Sequence, residues 1–126
     1  MRPLQWDPSL AAAAADYGEV LTNSNRLVHS PADTRPGQGE NLWMGTHGAY
    51  SVEEMGTAWA SERRLFRAGT FPDVSTSGSW SDVAHYTQMI WPDTERVGCA
   101  LTPSARWDFL VCRYARYGNV VGQRVP

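Results

Sequence analysis

The chain has no lysine: all 11 of its basic residues are arginine, set against 13 acidic ones for a net charge of -2. The signs are scattered, so there is no basic stripe of the kind that grips nucleic acid and no like-charge run that would mark a tail. No apolar stretch approaches the ~18 residues that a membrane span requires. There is no internal repeat and no linker. There are only two cysteines, Cys99 and Cys112, which excludes a scaffold built on several disulfides. Met1-Arg2-Pro3 leads almost directly into folded-looking sequence, so the expectation is that any export signal has been removed or was never there. What remains is an ordinary globular composition. With 42% hydrophobic and 19% charged residues, disorder is excluded, and 126 residues suit one domain with its own core.

Three segments carry helical signals. Asp7 and Pro8 open a helix that runs to about Asn23, with Leu10, Ala14, Tyr17 and Leu21 as its buried stripe and Gly18 weakening its middle. Ser51 to Arg67 is the clearest helix: Ser51 and Glu54 form a capping box, and Val52, Met55, Trp59 and Phe66 recur on one face. Glu62 falls inside that stripe, where a carboxylate is costly unless paired. Its bland partner is an arginine; the sharper reading is that it faces a cleft. A third, shorter helix spans Asp82 to Ile90, capped by Ser81 and ended by Trp91-Pro92, with Val83, Tyr86 and Ile90 as its apolar face. His85 and Met89 lie on a neighbouring face, where the lip or floor of a cleft would be.

The strand signals are shorter. Gly39 to Gly45 alternates, placing Glu40, Leu42 and Met44 on one face. Arg96 to Leu101 and Asp108 to Tyr114 read as a hairpin; centred near Ala105 and Arg106, it sets Cys99 opposite Cys112. A cross-strand disulfide there is geometrically reasonable and would imply an oxidising compartment; the alternative is two buried thiols in a cytosolic protein. Segments 31–39 and 68–79 read as loops, His47 as an exposed turn residue without a role, and Gly118 to Pro126 as a surface tail.

Four polar residues from separate segments adjoin buried structure: His29, Glu40, Glu62 and His85. Two imidazoles can hold a divalent transition ion, and glutamates can orient their ring N–H groups. The spacing is not a local metal motif, and a purely structural polar network fits the same residues.

His85-Tyr86-Thr87-Gln88-Met89-Ile90-Trp91 resembles the His-Tyr-Thr-Gln-x-x-Trp signature of the CAP superfamily, which includes cysteine-rich secretory proteins, venom antigens and plant pathogenesis-related proteins. Gly39-Glu40-Asn41-Leu42 is similar to its Gly-Glu-Asn-Leu signature. Val97-Gly98-Cys99-Ala100 and Cys112-Arg113-Tyr114 with Gly118-Asn119 resemble its C-terminal disulfide hairpin. Leu4-Gln5-Trp6-Asp7 and Leu27-Val28-His29-Ser30 also match, in the family's order. The resemblance implies an α+β fold, a three-layer α-β-α sandwich with a small antiparallel sheet. It also implies one central cleft lined by His29, Glu40, Glu62 and His85, with His29 and His85 able to bind zinc or a similar divalent ion. Residues 1–126 would be a single domain of this kind, of a minimal bacterial type, secreted to the extracellular space or periplasm.

The chain departs from the family pattern in three places. The family's usual first helix would precede Leu4, and the surface left by its absence could be covered by a second copy in a homodimer. Arg116 stands where the family often has proline, and only one disulfide is available.

The leading functional expectation is a binding protein. Its cleft takes a divalent ion and a small-molecule ligand, peptide, glycan or lipid such as a sterol. The alternative is a metal-dependent, peptidase-like hydrolase with Glu40 or Glu62 as general base. Catalytic zinc normally has three protein ligands and only two imidazoles are on offer, so binding is preferred over catalysis. A Ser30–His29 nucleophile, or one at Ser61 beside Glu62, is disfavoured because adjacent residues rarely face each other.

Overall fold

A computed structural model of the chain describes residues 3–126. The elements in order are β1 (Gln5–Trp6), α1 (Pro8–Ser24), β2 (Gln38–Thr46), α2 (Val52–Ala60), β3 (Gly69–Thr70), α3 (Ala84–Met89), β4 (Arg96–Pro103), β5 (Trp107–Ala115) and β6 (Arg124–Val125), with short 3-10 turns at Ala32–Thr34, Ser61–Leu65 and Trp80–Asp82. The main sheet has the order β1-β4-β5-β2. Its three long strands are antiparallel, but β1 pairs with β4 in parallel, so the expected antiparallel sheet carries one short parallel margin.

β5 is buried along nearly its whole length, and its alternation defines the layers. Phe109 and Val111 pack with Ala14, Leu21 and Leu42 on the α1 side. Leu110, Cys112 and Tyr114 pack with Met55 and Trp59 on the α2 side. The result is the expected α-β-α sandwich. A third cluster of Phe71, Val74, Val83, Trp91 and Val125 lies beside the small β3–β6 ribbon.

The first helix forms for the anticipated reasons. Asp7 caps it through the N–H groups of Ser9 and Leu10, proline follows at once, and Asn25 closes it in the left-handed region. Tyr17 is half-buried, and Gly18 takes a buried place beside it. Gly18 is there for contact: a Cβ would lie 2.2 Å from the Thr102 hydroxyl of β4. The hairpin register pairs Cys99 with Cys112, and the two form a disulfide.

Several expectations are corrected. The Ser51–Arg67 helix keeps its capping box but ends as an α-helix at Ala60 and tightens into the Ser61–Leu65 turn, where the Glu62 carboxylate is drawn to α3. Val52 is exposed. The Asp82–Ile90 helix is broken at Val83. Ser81 caps nothing, and Asp82 instead accepts a bond from the Ser77 hydroxyl. Thr87 and Gln88 are the buried residues of α3, while Tyr86 and Ile90 are half-buried. Thr87 bonds Asn119, and Gln88 bonds Thr94 and the Gly118 N–H. The C-terminal segment is no loose tail: β6 pairs with β3 and buries Val125 completely. On the α2 side an apolar groove of about 290 Å³ remains open between Leu4, Trp59, Met89, Val97 and Leu110.

Candidate functional site

Two of the four sequence-predicted residues meet across α1's exit and β2. His29 follows the helix, and its Nδ1 lies 2.8 Å from Glu40 Oε1. The Ser30 N–H donates to that same oxygen at 3.0 Å, and the Ser30 hydroxyl donates to Oε2 at 2.7 Å. Glu40 is directly opposite Arg113 in the β2–β5 register, and the Arg113 Nε donates to Oε2 at 2.8 Å. Both carboxylate oxygens are thus filled. Burial alone would raise the Glu40 carboxyl, but the His29 and Ser30 hydrogen bonds and the Arg113 charge together outweigh it and hold the group below its ordinary value. An ionised carboxylate only accepts, so His29 Nδ1 carries a proton; in the neutral imidazole that leaves the lone pair on Nε2.

The other two meet between the Ser61–Leu65 turn and α3. His85 Nδ1 lies 2.7 Å from Glu62 Oε2, and the Tyr86 N–H donates to Oε1 at 2.9 Å. The His85 ring stacks on Trp59 with centroids 5.8 Å apart and planes 12° from parallel. Glu62 therefore pairs with a histidine, and the arginine belongs to the other glutamate. Asn41 ties the halves together: its side-chain amide donates to the His85 carbonyl and to the Tyr114 hydroxyl.

Both imidazoles line one cleft of about 640 Å³ beside the β2 edge, with Glu40 and Asn41 in its floor; Glu62 stands behind His85 and does not line it. The His29 side chain is 57% exposed and that of His85 33%, so both rings stay open to solvent while a glutamate holds each Nδ1. Among the described residues no cluster of three or more histidine, cysteine or carboxylate side chains is placed to hold a metal. The serine nucleophiles do not materialise. The Ser30 hydroxyl donates to Glu40 and accepts from Arg35 and Arg113, and the Ser61 hydroxyl donates to the Ala58 carbonyl.

Arg113 is the residue that the sequence reading missed. It is 5% exposed and also donates to Gln38, with its guanidinium over the Tyr17 ring at 5.4 Å. The available signal was an arginine following the apolar run Phe109–Cys112 and preceding Tyr114 in a buried strand, a place that demands an acid partner. A third histidine–carboxylate pair lies away from the cleft: His47 is exposed, as expected, yet its Nδ1 is 2.7 Å from the buried Asp108.

Comparison with known proteins agrees with this architecture. The family model described as "CAP: Cysteine-rich secretory protein family" matches residues 1–114. The chain is 34% identical over 124 residues to a "Pathogenesis-related protein PR-1 type" of Sambucus nigra, covering 97% of this chain and 70% of the relative. It is 32% identical to "Pathogenesis-related protein 1C" of Nicotiana tabacum, covering 98% of this chain and 69% of that one. Among solved structures, "Crystal structure of NaASP2 with Zn2+" superposes with a TM-score of 0.80 at 25% identity, covering 98% of this chain; the chain spans 65% of that protein's length. No helix among the described residues is long and apolar enough to cross a membrane. On the family match, the shared fold and the disulfide hairpin, the chain belongs to the CAP, or cysteine-rich secretory protein, family.

Proposed function

We propose that the chain is a secreted binding protein whose cleft holds a divalent ion, zinc for preference, between the Nε2 atoms of His29 and His85. An extended small-molecule, peptide, glycan or lipid ligand lies alongside. One observation carries the reading: both imidazoles line the same cleft while each Nδ1 is engaged by its own glutamate. That is how proteins orient metal-binding histidines and raise their basicity. The similar structure of NaASP2 with Zn2+ supports the choice of ion. Two imidazoles are fewer ligands than a catalytic zinc site uses, so positions on the ion stay open to water or ligand. The disulfide and the family's secretory description support export to the extracellular space or periplasm.

Binding is preferred over hydrolysis because each Glu40 oxygen already accepts two hydrogen bonds and Glu62, held by His85 and the Tyr86 N–H, does not line the cleft, so neither carboxylate is placed to take a proton from a water there. Equilibrium dialysis tests the metal: about one zinc per chain, lost in the His29→Ala, His85→Ala double variant. Undiminished zinc uptake by that variant removes the metal from the proposal. Incubation with a broad peptide library, with and without chelator, tests the preference. Chelator-sensitive cleavage abolished by Glu62→Gln would make the protein a hydrolase.

A further inference from the structure

We propose that the cleft recognises a neutral oligosaccharide. This rests on the cleft being a ligand site, as argued above, and does not need the metal. The cleft carries two exposed aromatic rings from separate segments, Trp80 at 48% and Tyr117 at 52% exposure. Two large aromatics lining one cavity give it ring faces of the kind found in ligand-binding grooves.

Trp80 is also braced. It meets the buried Phe71 edge to face at 5.7 Å, and Phe71 meets the buried Trp91 at 5.7 Å. The outer ring of that chain is held in place from below. The Tyr117 backbone is pinned by its N–H to the Gly37 carbonyl. Rigid aromatic platforms give contact area at little entropy cost.

Charge gives no preference for an ionic organic ligand. Among the described residues, the aspartate, glutamate or arginine side chains lining the cleft are Arg35 and Glu40. The Arg35 guanidinium donates to the Ser30 carbonyl and hydroxyl and to the Gln38 carbonyl. Glu40 is filled by His29, Ser30 and Arg113.

The backbone along the lining is partly engaged already. The Gly37 carbonyl is taken by Tyr117, the Gln38 N–H and carbonyl by Arg35, and the Gly118 N–H by Gln88. A peptide adding itself as a strand would need such groups free. Beside ring faces and two imidazoles, the cleft offers neutral polar side chains such as Ser81 and Gln38. A pyranose has the matching chemistry: an apolar C–H face that stacks on an aromatic ring, and a rim of hydroxyls that can donate to Nε2. The volume of about 640 Å³ falls within the ~300–1,000 Å³ of small-ligand sites.

Isothermal titration with neutral tetrasaccharides of glucose and of N-acetylglucosamine, run in chelator, tests the proposal. Saturable binding at millimolar sugar or below is expected, weakened roughly tenfold by Trp80→Ala and by Tyr117→Ala. Trp6→Ala, an exposed tryptophan outside the cleft, leaves it unchanged. Circular dichroism confirms folding, and Tyr117→Ala carries the test if Trp80→Ala fails to fold. Absence of binding to every neutral sugar overturns the proposal. So does equal binding by the two cleft variants, or binding only of tetrapeptides or of phosphatidylcholine vesicles. Zinc dialysis on Trp80→Ala separates the two readings: zinc retained with sugar lost assigns the loss to the platform alone, and sugar bound by a protein that takes no zinc strikes only the metal.

Discussion

Replacing Arg113 by methionine probes the anchor of the whole cleft. The guanidinium makes bonds to Glu40, Gln38 and Ser30 and covers the Tyr17 ring. Removing one partner of a buried ion pair costs ~3–5 kcal/mol, because the remaining charge stays out of water. Glu40 would keep His29 and both donors of Ser30, which places the loss near the lower end, about 3 kcal/mol. For a chain of this length that lowers the melting temperature by roughly 10 °C. The loss must also depend on pH. In the native protein the Glu40 carboxyl is held below its ordinary value, so its pairing contributes stability above the unfolded pKa and loses it as pH falls through the folded one. Without Arg113 the folded carboxyl titrates higher, so the gap between variant and parent narrows as the solution is acidified. Urea unfolding at pH 7 and at successively lower pH reads both effects. A loss under about 1 kcal/mol at pH 7, or one constant across the series, would refute the reasoning. Adding Glu40→Gln to the variant should recover part of the loss, since the stranded charge is then gone.

Four further outcomes follow from the same packing. At Gly98 a Cβ would sit 2.2 Å from the Ala11 amide nitrogen and 2.5 Å from the Asp7 carbonyl, so Gly98→Ala should cost about 1–3 kcal/mol in urea unfolding; Gly56→Ala, with open space around it, should stabilise α2 by up to about 1 kcal/mol. Replacing Cys99 and Cys112 together by alanine should cost about 3 kcal/mol for their 13-residue separation, read as a lower melting temperature that reducing agent reproduces in the parent. The Asp108 carboxyl is held below its ordinary value by the Gly48 N–H and by His47. Asp108→Asn should therefore destabilise at neutral pH, with the difference closing as acid protonates the parent's carboxyl; a difference that widens in acid would contradict this.

The elements legible from the chain were those whose cause is local. Asp7-Pro8 and Ser51 with Glu54 start helices through neighbours three residues away. The hairpin register follows from strand lengths about a turn, which puts Cys99 against Cys112. The family could be read from short motifs because they stand in order along the sequence. Elsewhere a local pattern was overruled by a distant partner. The helix through Glu62 gave way where its carboxylate meets His85 and the Tyr86 N–H, 23 and 24 residues on. The tail became a strand because Gly69 and Thr70 offered it an edge.

What this chain determined by itself was therefore its periodic stripes, caps, hairpin and family membership, since each depends on residues near one another or on their order. Only the folded molecule decided which carboxylate meets which cation. Periodicity and order carry no information about contacts 73 residues apart, such as Glu40 with Arg113. The same holds for the cleft: His29 and His85 share it because packing brings α3 against the β2 edge, through bonds such as Asn41 to the His85 carbonyl.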